Sequence, residues 1–89
     1  MARIVFTPQL RRFLAVPDLH TDGATLRAAL DQVLAEHPLL AGYQLDEQRH
    51  LRANVVVFVD GRRCDDRVVM DDPLAPDSTV HVLQALSGG

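Results

Sequence analysis

The sequence predicts an α+β domain in which one main helix lies on one face of a mixed sheet of four to five strands. Three observations carry this. Leu26, Ala29, Leu30, Val33 and Leu34 recur at i, i+3, i+4, i+7 and i+8, a single apolar stripe at helical spacing. Asn54 to Val59 is a strand-length run dominated by valine, whose branched Cβ suits a pleated surface. The order is hairpin, helix, then further strands, so the helix stripe has only a sheet made from its neighbours to cover.

Taken in order, Arg3 to Thr7 reads as a first strand, closed by Pro8. Phe13 to Leu19 is a weaker second strand. Pro17 lacks an N–H and therefore suits an edge, with residues 8–12 forming the hairpin turn. Thr25, with Asp22 nearby, is placed to N-cap the helix, and Pro38 stops it just after His37. His37 continues the apolar stripe at the helix C-terminus, where a cation or a hydrogen-bonding ring suits the dipole. Leu39 to Leu51 is mixed; Gly42 and Asp46-Glu47-Gln48 mark a turn, giving a loop with room for one short extra turn of helix.

Asn54 to Val59 is apolar at every position after the first, which predicts a central strand. Asp60-Gly61 is a strong hairpin signal, with Arg62 to Val69 as the return strand. Asp71-Asp72-Pro73-Leu74 breaks the pattern, Val80 to Ala85 forms the last strand, and residues 86–89 are a flexible tail. The whole of 1–89 is expected to be one domain.

Composition narrows the function classes. Apolar residues make up 47% of the 89, enough to close a core and inconsistent with a disordered chain. The lone Cys64 permits no internal disulfide, and Met1-Ala2-Arg3 leads straight into a strand without a signal-peptide or membrane-length apolar segment. A cytoplasmic protein is expected, with no membrane partner. Net charge is −3 and all nine basic residues are arginines; the doublets Arg11-Arg12 and Arg62-Arg63 are isolated among acidic stretches, so nucleic acid is not an expected partner.

His20, His37, His50 and His81 show no metal-ligand spacing, and none is expected to hold a metal. Cys64 reads as a passive thiol whose pKa Arg62, Arg63 and Arg67 would lower slightly. Asp65-Asp66 and Asp71-Asp72 read as solvated turn residues rather than an acid/base pair, and no phosphate loop or nucleophile triad is present. A stand-alone enzyme is not expected.

Four stretches carry a resemblance. Gly23-Ala24-Thr25-Leu26 opens the helix. Val57-Phe58-Val59-Asp60-Gly61 is a strand and turn, with Asp60 where asparagine is more usual. Asp72-Pro73-Leu74 followed by Asp77-Ser78-Thr79-Val80 approaches the last strand, with Asp77-Ser78 where Gly-Asp is usual. Gln84-Ala85-Leu86-Ser87-Gly88-Gly89 is strand end and tail. With the order β-β-α-β-β-β, the chain resembles, over essentially its whole length, the ubiquitin-like β-grasp sulfur carriers. These include the small subunit of molybdopterin synthase, the thiamin-pathway carrier and the carrier of cysteine synthesis. Ala85-Leu86-Ser87 replaces the proline-containing tripeptide common in molybdopterin-type carriers, which leaves the receiving pathway open. At Asp77 the left-handed conformation that Asp tolerates would preserve the turn.

The resemblance implies that the reactive group is the carboxylate of Gly89, adenylated and then converted to a thiocarboxylate, in a chain that binds no cofactor itself. It implies three partners: a ubiquitin-activating-enzyme-like adenylyltransferase using ATP and Mg²⁺, a persulfide sulfur donor, and a sulfur-accepting synthase. The chain is then a carrier, or the small subunit of a sulfur-transfer complex. Gly88 and Gly89 lack a Cβ and permit close backbone approach in a narrow site, with Ser87 and Leu86 completing the tail. Along the last strand Val80, Val82 and Gln84 face one side and His81, Leu83 and Ala85 the other. If the valines pack on the helix, Leu83, Phe58 and Leu86 form an exposed apolar patch, and Phe58, Leu83 and Ala85 are the candidate partner-binding residues. The alternatives are a protein modifier conjugated through Gly89 and a β-grasp interaction module with an idle tail.

Overall fold

The structure, a computed structural model, describes residues 1–6 and 18–84, with Asp18 defined in its backbone only. The predicted hairpin turn, Phe13 to Pro17 of the predicted second strand, and Ala85 to Gly89 lie outside the described residues. In chain order the elements are β1 (Ala2–Phe6), β2 (Asp18–Thr21), α1 (Leu26–Ala35), α2 (Pro38–Gln44), β3 (Val55–Val59), β4 (Arg62–Arg63) and β5 (Thr79–Gln84). They form a five-stranded sheet in the order β2-β1-β5-β3-β4, an α+β architecture of the β-grasp kind. β1 and β5 are parallel and the other neighbours antiparallel. The central strand is therefore β5, not the valine run of β3, which lies one place from the edge.

Helix α1 forms as its stripe predicts. All five stripe residues are buried, against Ile4, Phe6, Val55, Val57, Val80 and Val82 of the sheet. Its first turn is fully capped: Thr25 Oγ1 accepts from the Ala28 N–H at 3.2 Å, and the 70–74 segment supplies two further acceptors. Leu26 N–H donates to the Asp72 carbonyl at 2.9 Å and Arg27 N–H to the Met70 carbonyl at 2.8 Å. The predicted break at Asp71–Leu74 is thus a strap across the helix N-terminus.

Gly23 lies beneath this cap. A Cβ there would come within 2.7 Å of the Ala29 nitrogen and 2.9 Å of its Cα, both backbone atoms inside α1. Gly23→Ala is therefore expected to cost about 1–3 kcal/mol, because rigid backbone must move. A thermal melt reads this as a fall in Tm on the order of 5–20 °C.

Three elements depart from expectation. Pro38 does not merely end α1; it occupies the first turn of a second helix, α2, where its missing N–H is not needed. His37 is consequently the residue before α2 rather than the last turn of α1, and Gly42 lies within a helix rather than a turn. The return strand β4 spans only Arg62–Arg63, extended by one bond from Cys64 N–H to the Val57 carbonyl at 2.8 Å. Beyond it, Asp66 Oδ1 accepts from the N–H groups of Val68 and Val69 at 3.1 and 2.9 Å, and so bends the chain away from the sheet. The Asp60-Gly61 turn is as predicted: φ is +50° and +84°, the pair of left-handed residues of a type I′ hairpin.

The departures at Asp60 and Ser78 from the pattern of the resembling family are two halves of one contact. Ser78 Oγ donates to Asp60 Oδ2 at 2.8 Å, and Thr79 N–H donates to Asp60 Oδ1 at 2.9 Å. This chain therefore joins the two positions through a carboxylate and a hydroxyl. The Ala75–Ser78 turn does survive, closed by Ser78 N–H to the Ala75 carbonyl at 3.0 Å. It does so without a left-handed Asp77; among the described non-glycine residues only Arg49, Asp60 and Met70 have positive φ.

The two N–H and O–H donors hold the Asp60 carboxyl below the ordinary value of 3.8, the Thr79 amide contributing most. A depressed native pKa gives stability that is present above the unfolded value and lost as pH falls through the folded one. Asp60→Asn keeps an acceptor for Thr79 and tolerates the left-handed turn. It is expected to leave Tm nearly unchanged at pH 7 and to flatten its decline below about pH 4, where the wild-type chain loses this contribution. Melting curves from pH 7 down to acid check this.

Candidate functional site

β5 is hydrogen-bonded on both sides, to β1 through pairs ending at Phe6↔Val82 and to β3 through pairs ending at Val55↔Gln84, so the strand that leads to the tail lies in the middle of the sheet. Val80, Val82 and Gln84 face the helices and are buried, whereas His81 and Leu83 face away. This is the arrangement in which Leu83 belongs to an open surface.

Register places the rest of that surface. Val5, His81, Phe58 and Arg63 are directly opposed in one row across β1, β5, β3 and β4. The next row toward the tail pairs Leu83 with Val56. Val5, Val56 and Phe58 are half-buried, and Leu83 is 46% exposed. At the far end Arg3, His20 and Thr79 share a row. The open face is thus apolar close to the tail and increasingly polar and basic away from it.

Phe58 and Leu83 are brought to one face as the alternation indicated, one row apart. Ala85, Leu86, Ser87, Gly88 and Gly89 lie outside the described residues. Val5 and Val56 were missed as part of this surface. The signal for Val56 was available in its alternation with Val55 and Val57; that for Val5 depended on knowing that β1 lies beside β5.

Cys64 is 2% exposed, with its sulfur 3.3 Å from Asp72 Oδ1 and 3.4 Å from the Asp66 carbonyl. Burial first, and then the Asp72 carboxylate, pushes the thiol up to about 12, so the expected slight lowering by arginines is reversed. A thiol so held is protonated at neutral pH and is no sulfur relay. Asp66 and Asp72 are not idle: Asp66 is held below the ordinary carboxylate value by the Val69 and Val68 amides, and Asp72 accepts from Cys64. These carboxylates lie with Arg62, Arg63 and Pro73 around an open groove near Cys64, and they are engaged in holding the chain rather than aimed as acid and base at a common point. Among the described residues no group of three His, Cys, Asp or Glu side chains is placed to hold a metal, and no helix is long and apolar enough to cross a membrane.

The family model described as the ThiS family matches residues 4–89. Among solved structures, the fold is similar to that in the Amycolatopsis orientalis BexX/CysO complex, with TM-score 0.82, 19% identity, and 100% of both chains covered. Mycobacterium tuberculosis CysO gives TM-score 0.81 at 17% identity, covering 97% of this chain and 100% of that one. Small archaeal modifier protein 1 from Methanosarcina acetivorans gives 0.80 at 18%, covering 99% and 95%. At these identities the structural likeness is one of fold. No curated protein matches the chain.

Proposed function

Since this chain belongs to the ThiS family of ubiquitin-like β-grasp sulfur carriers, we propose that it carries sulfur as a thiocarboxylate on Gly89. The observation that carries the reading is the family match running to Gly89, on a fold whose central strand β5 leads toward that residue. The chain is then the reactant and not the catalyst.

A carboxylate is a poor electrophile because its charge is delocalised and its leaving group would be oxide. An adenylyltransferase similar to the ubiquitin-activating enzymes, using ATP and Mg²⁺, joins the Gly89 carboxylate to AMP and releases pyrophosphate. The terminal sulfur of a persulfide then attacks the acyl carbon and AMP leaves. A second thiol cleaves the resulting acyl disulfide, giving the thiocarboxylate and a disulfide. A sulfur-accepting synthase takes the sulfur, and hydrolysis returns the carboxylate. The absence of Cβ at Gly88 and Gly89 lets the attacked carbon approach the nucleotide.

Recognition falls to the open face, where Leu83 and Phe58, extended by Val5 and Val56, offer apolar area beside the root of the tail. Ala85, next in the chain, is proposed as a further partner-binding residue. A buried protonated Cys64 and a lone-cysteine chain fit a reducing cytoplasm. The BexX/CysO complex supports the expectation that such carriers bind the enzymes they serve.

The test is ATP–pyrophosphate exchange with the activating enzyme of the same host. Exchange dependent on this chain supports the reading, and its absence with every activating enzyme of the host contradicts it. A second reading, conjugation of Gly89 to lysines of other proteins, is favoured by the likeness to small archaeal modifier protein 1. It uses the same activation and differs in the final nucleophile. Gly89–lysine isopeptides in lysates support it, and their absence under sulfur starvation and oxidative stress counts against it.

A further inference from the structure

Between α2 and the end of β5 lies a polar contact inside an otherwise apolar core. Gln44 is fully buried and Gln84 is 7% exposed. Gln84 Nε2 donates to the Tyr43 carbonyl at 2.5 Å, and Gln44 Nε2 donates to Gln84 Oε1 at 2.6 Å. The orientation of both amides is forced. A peptide carbonyl only accepts, so Gln84 must turn its NH₂ to Tyr43 and its oxygen to Gln44, which must answer with its own NH₂. Gln44 Oε1 is left buried without a hydrogen-bond partner among the described residues.

Stability alone does not explain this pair. A buried acceptor without a partner opposes folding, and two apolar side chains of the same shape would fill the space without that penalty. What two interlocked amides provide is a single geometry, because each permits only one orientation of the other. Its location gives that geometry a use. Gln84 is the last described residue of β5 and opposes Val55 of β3. The end of the strand is held laterally by β3 and from beneath by α2.

We infer that Gln44 and Gln84 are positioning residues, an amide clamp that fixes the root of the Gly89 tail relative to the open face. The consequence for activation rests on the carrier reading above; the clamp itself does not. An enzyme that grips the open face and the tail together needs a defined path between them. Releasing the root adds chain to be re-ordered on each encounter.

The test uses the full chain and its activating enzyme, with Gln84→Met, Gln44→Met and the double variant. Gln84→Met is expected to raise the KM for the carrier about ten-fold, the cost of re-ordering roughly one residue, with kcat within about two-fold. Protection of the Leu83 and Gln84 amides against hydrogen exchange should fall, while that of α1 is retained. The double variant removes both buried amides and is expected to regain stability but not KM. It also carries the test should Gln84→Met not fold. Gly61→Ala, which strains the β3–β4 turn beside the start of β5, at the opposite end of that strand from Gln84, serves as a destabilised control and should leave KM unchanged.

A wild-type KM in Gln84→Met, or an equal rise in Gly61→Ala, overturns the inference. If the wild-type chain is not activated at all, the carrier reading fails and exchange alone decides the clamp. Unchanged protection at Leu83 and Gln84 then refutes it, and selective loss there upholds it.

Discussion

Removal of Gly88 and Gly89 is expected to abolish ATP-dependent activation while leaving Tm within about 3 °C of the full chain, since surface changes away from the core typically move stability by under ~0.5 kcal/mol. Among the described residues the core runs from Ile4 to Val82, and the strand pairing ends at Gln84. In the proposed mechanism the chemistry depends wholly on Gly88 and Gly89, because the attacked carbon belongs to Gly89, and without Gly88 the next residue would place a side chain beside it. Adding one residue after Gly89 is expected to be as damaging as removing two, since it moves the carboxylate. ATP–pyrophosphate exchange and a melting curve on the same preparations check both halves. Function in the cell surviving the deletion would establish the alternative of an interaction module with an idle tail.

Leu83→Asp should raise the KM for activation about 10- to 100-fold, the range that follows when an interface is deprived of a central apolar side chain. Leu83 is 46% exposed on the open face of the central strand, so a carboxylate there stays hydrated in the free protein and costs the fold little. In the complex it would be desolvated against the partner's apolar surface, next to Val56. Val68→Asp is the matched control. Val68 is 50% exposed, in the bend after β4, and its substitution is expected to leave KM unchanged. Steady-state kinetics with varied carrier concentration separates the two, and equal effects would remove the open face from the recognition surface.

The sequence carried most of this architecture where local rules and tertiary needs agree. Helix α1 was legible because its stripe, its Thr25 cap and Pro38 all point to the same limits. The Asp60-Gly61 turn was legible because few other dipeptides supply two left-handed residues. Helix α2 was not. It is seven residues long, Gly42 imitates a turn, and its buried positions are Leu40 and Gln44, the second of which breaks the apolar period. β4 was overestimated for the opposite reason. Val68 and Val69 suit a strand, but the Asp66 carboxylate two and three residues earlier captures their N–H groups before a neighbouring strand can.

The candidate surface divides along the same line. Alternation alone separated Leu83 from Val80 and Val82, and burial follows it. The choice of β5 as the central strand decided which further residues join Leu83. That choice is made by non-local pairing, Ile4 with Val80 and Val57 with Val82, which no local pattern encodes. The Gln44–Gln84 contact joins residues forty positions apart; alternation placed Gln84 on the valine face, but no local pattern placed Gln44 against it. The Asp60–Ser78 pair shows the reverse. Both positions stood out as departures from a family pattern, and only their 2.8 Å contact reveals that the two departures meet.

The most direct measurement is the intact mass of the chain after incubation with its activating enzyme, ATP, Mg²⁺ and a persulfide donor, followed by fragmentation. The expected result is the gain of one sulfur in place of one oxygen, localised to Gly89 and reversed on transfer to an acceptor. A chain that is adenylated under these conditions yet never gains sulfur would contradict the carrier role and leave conjugation to lysines as the function of its tail.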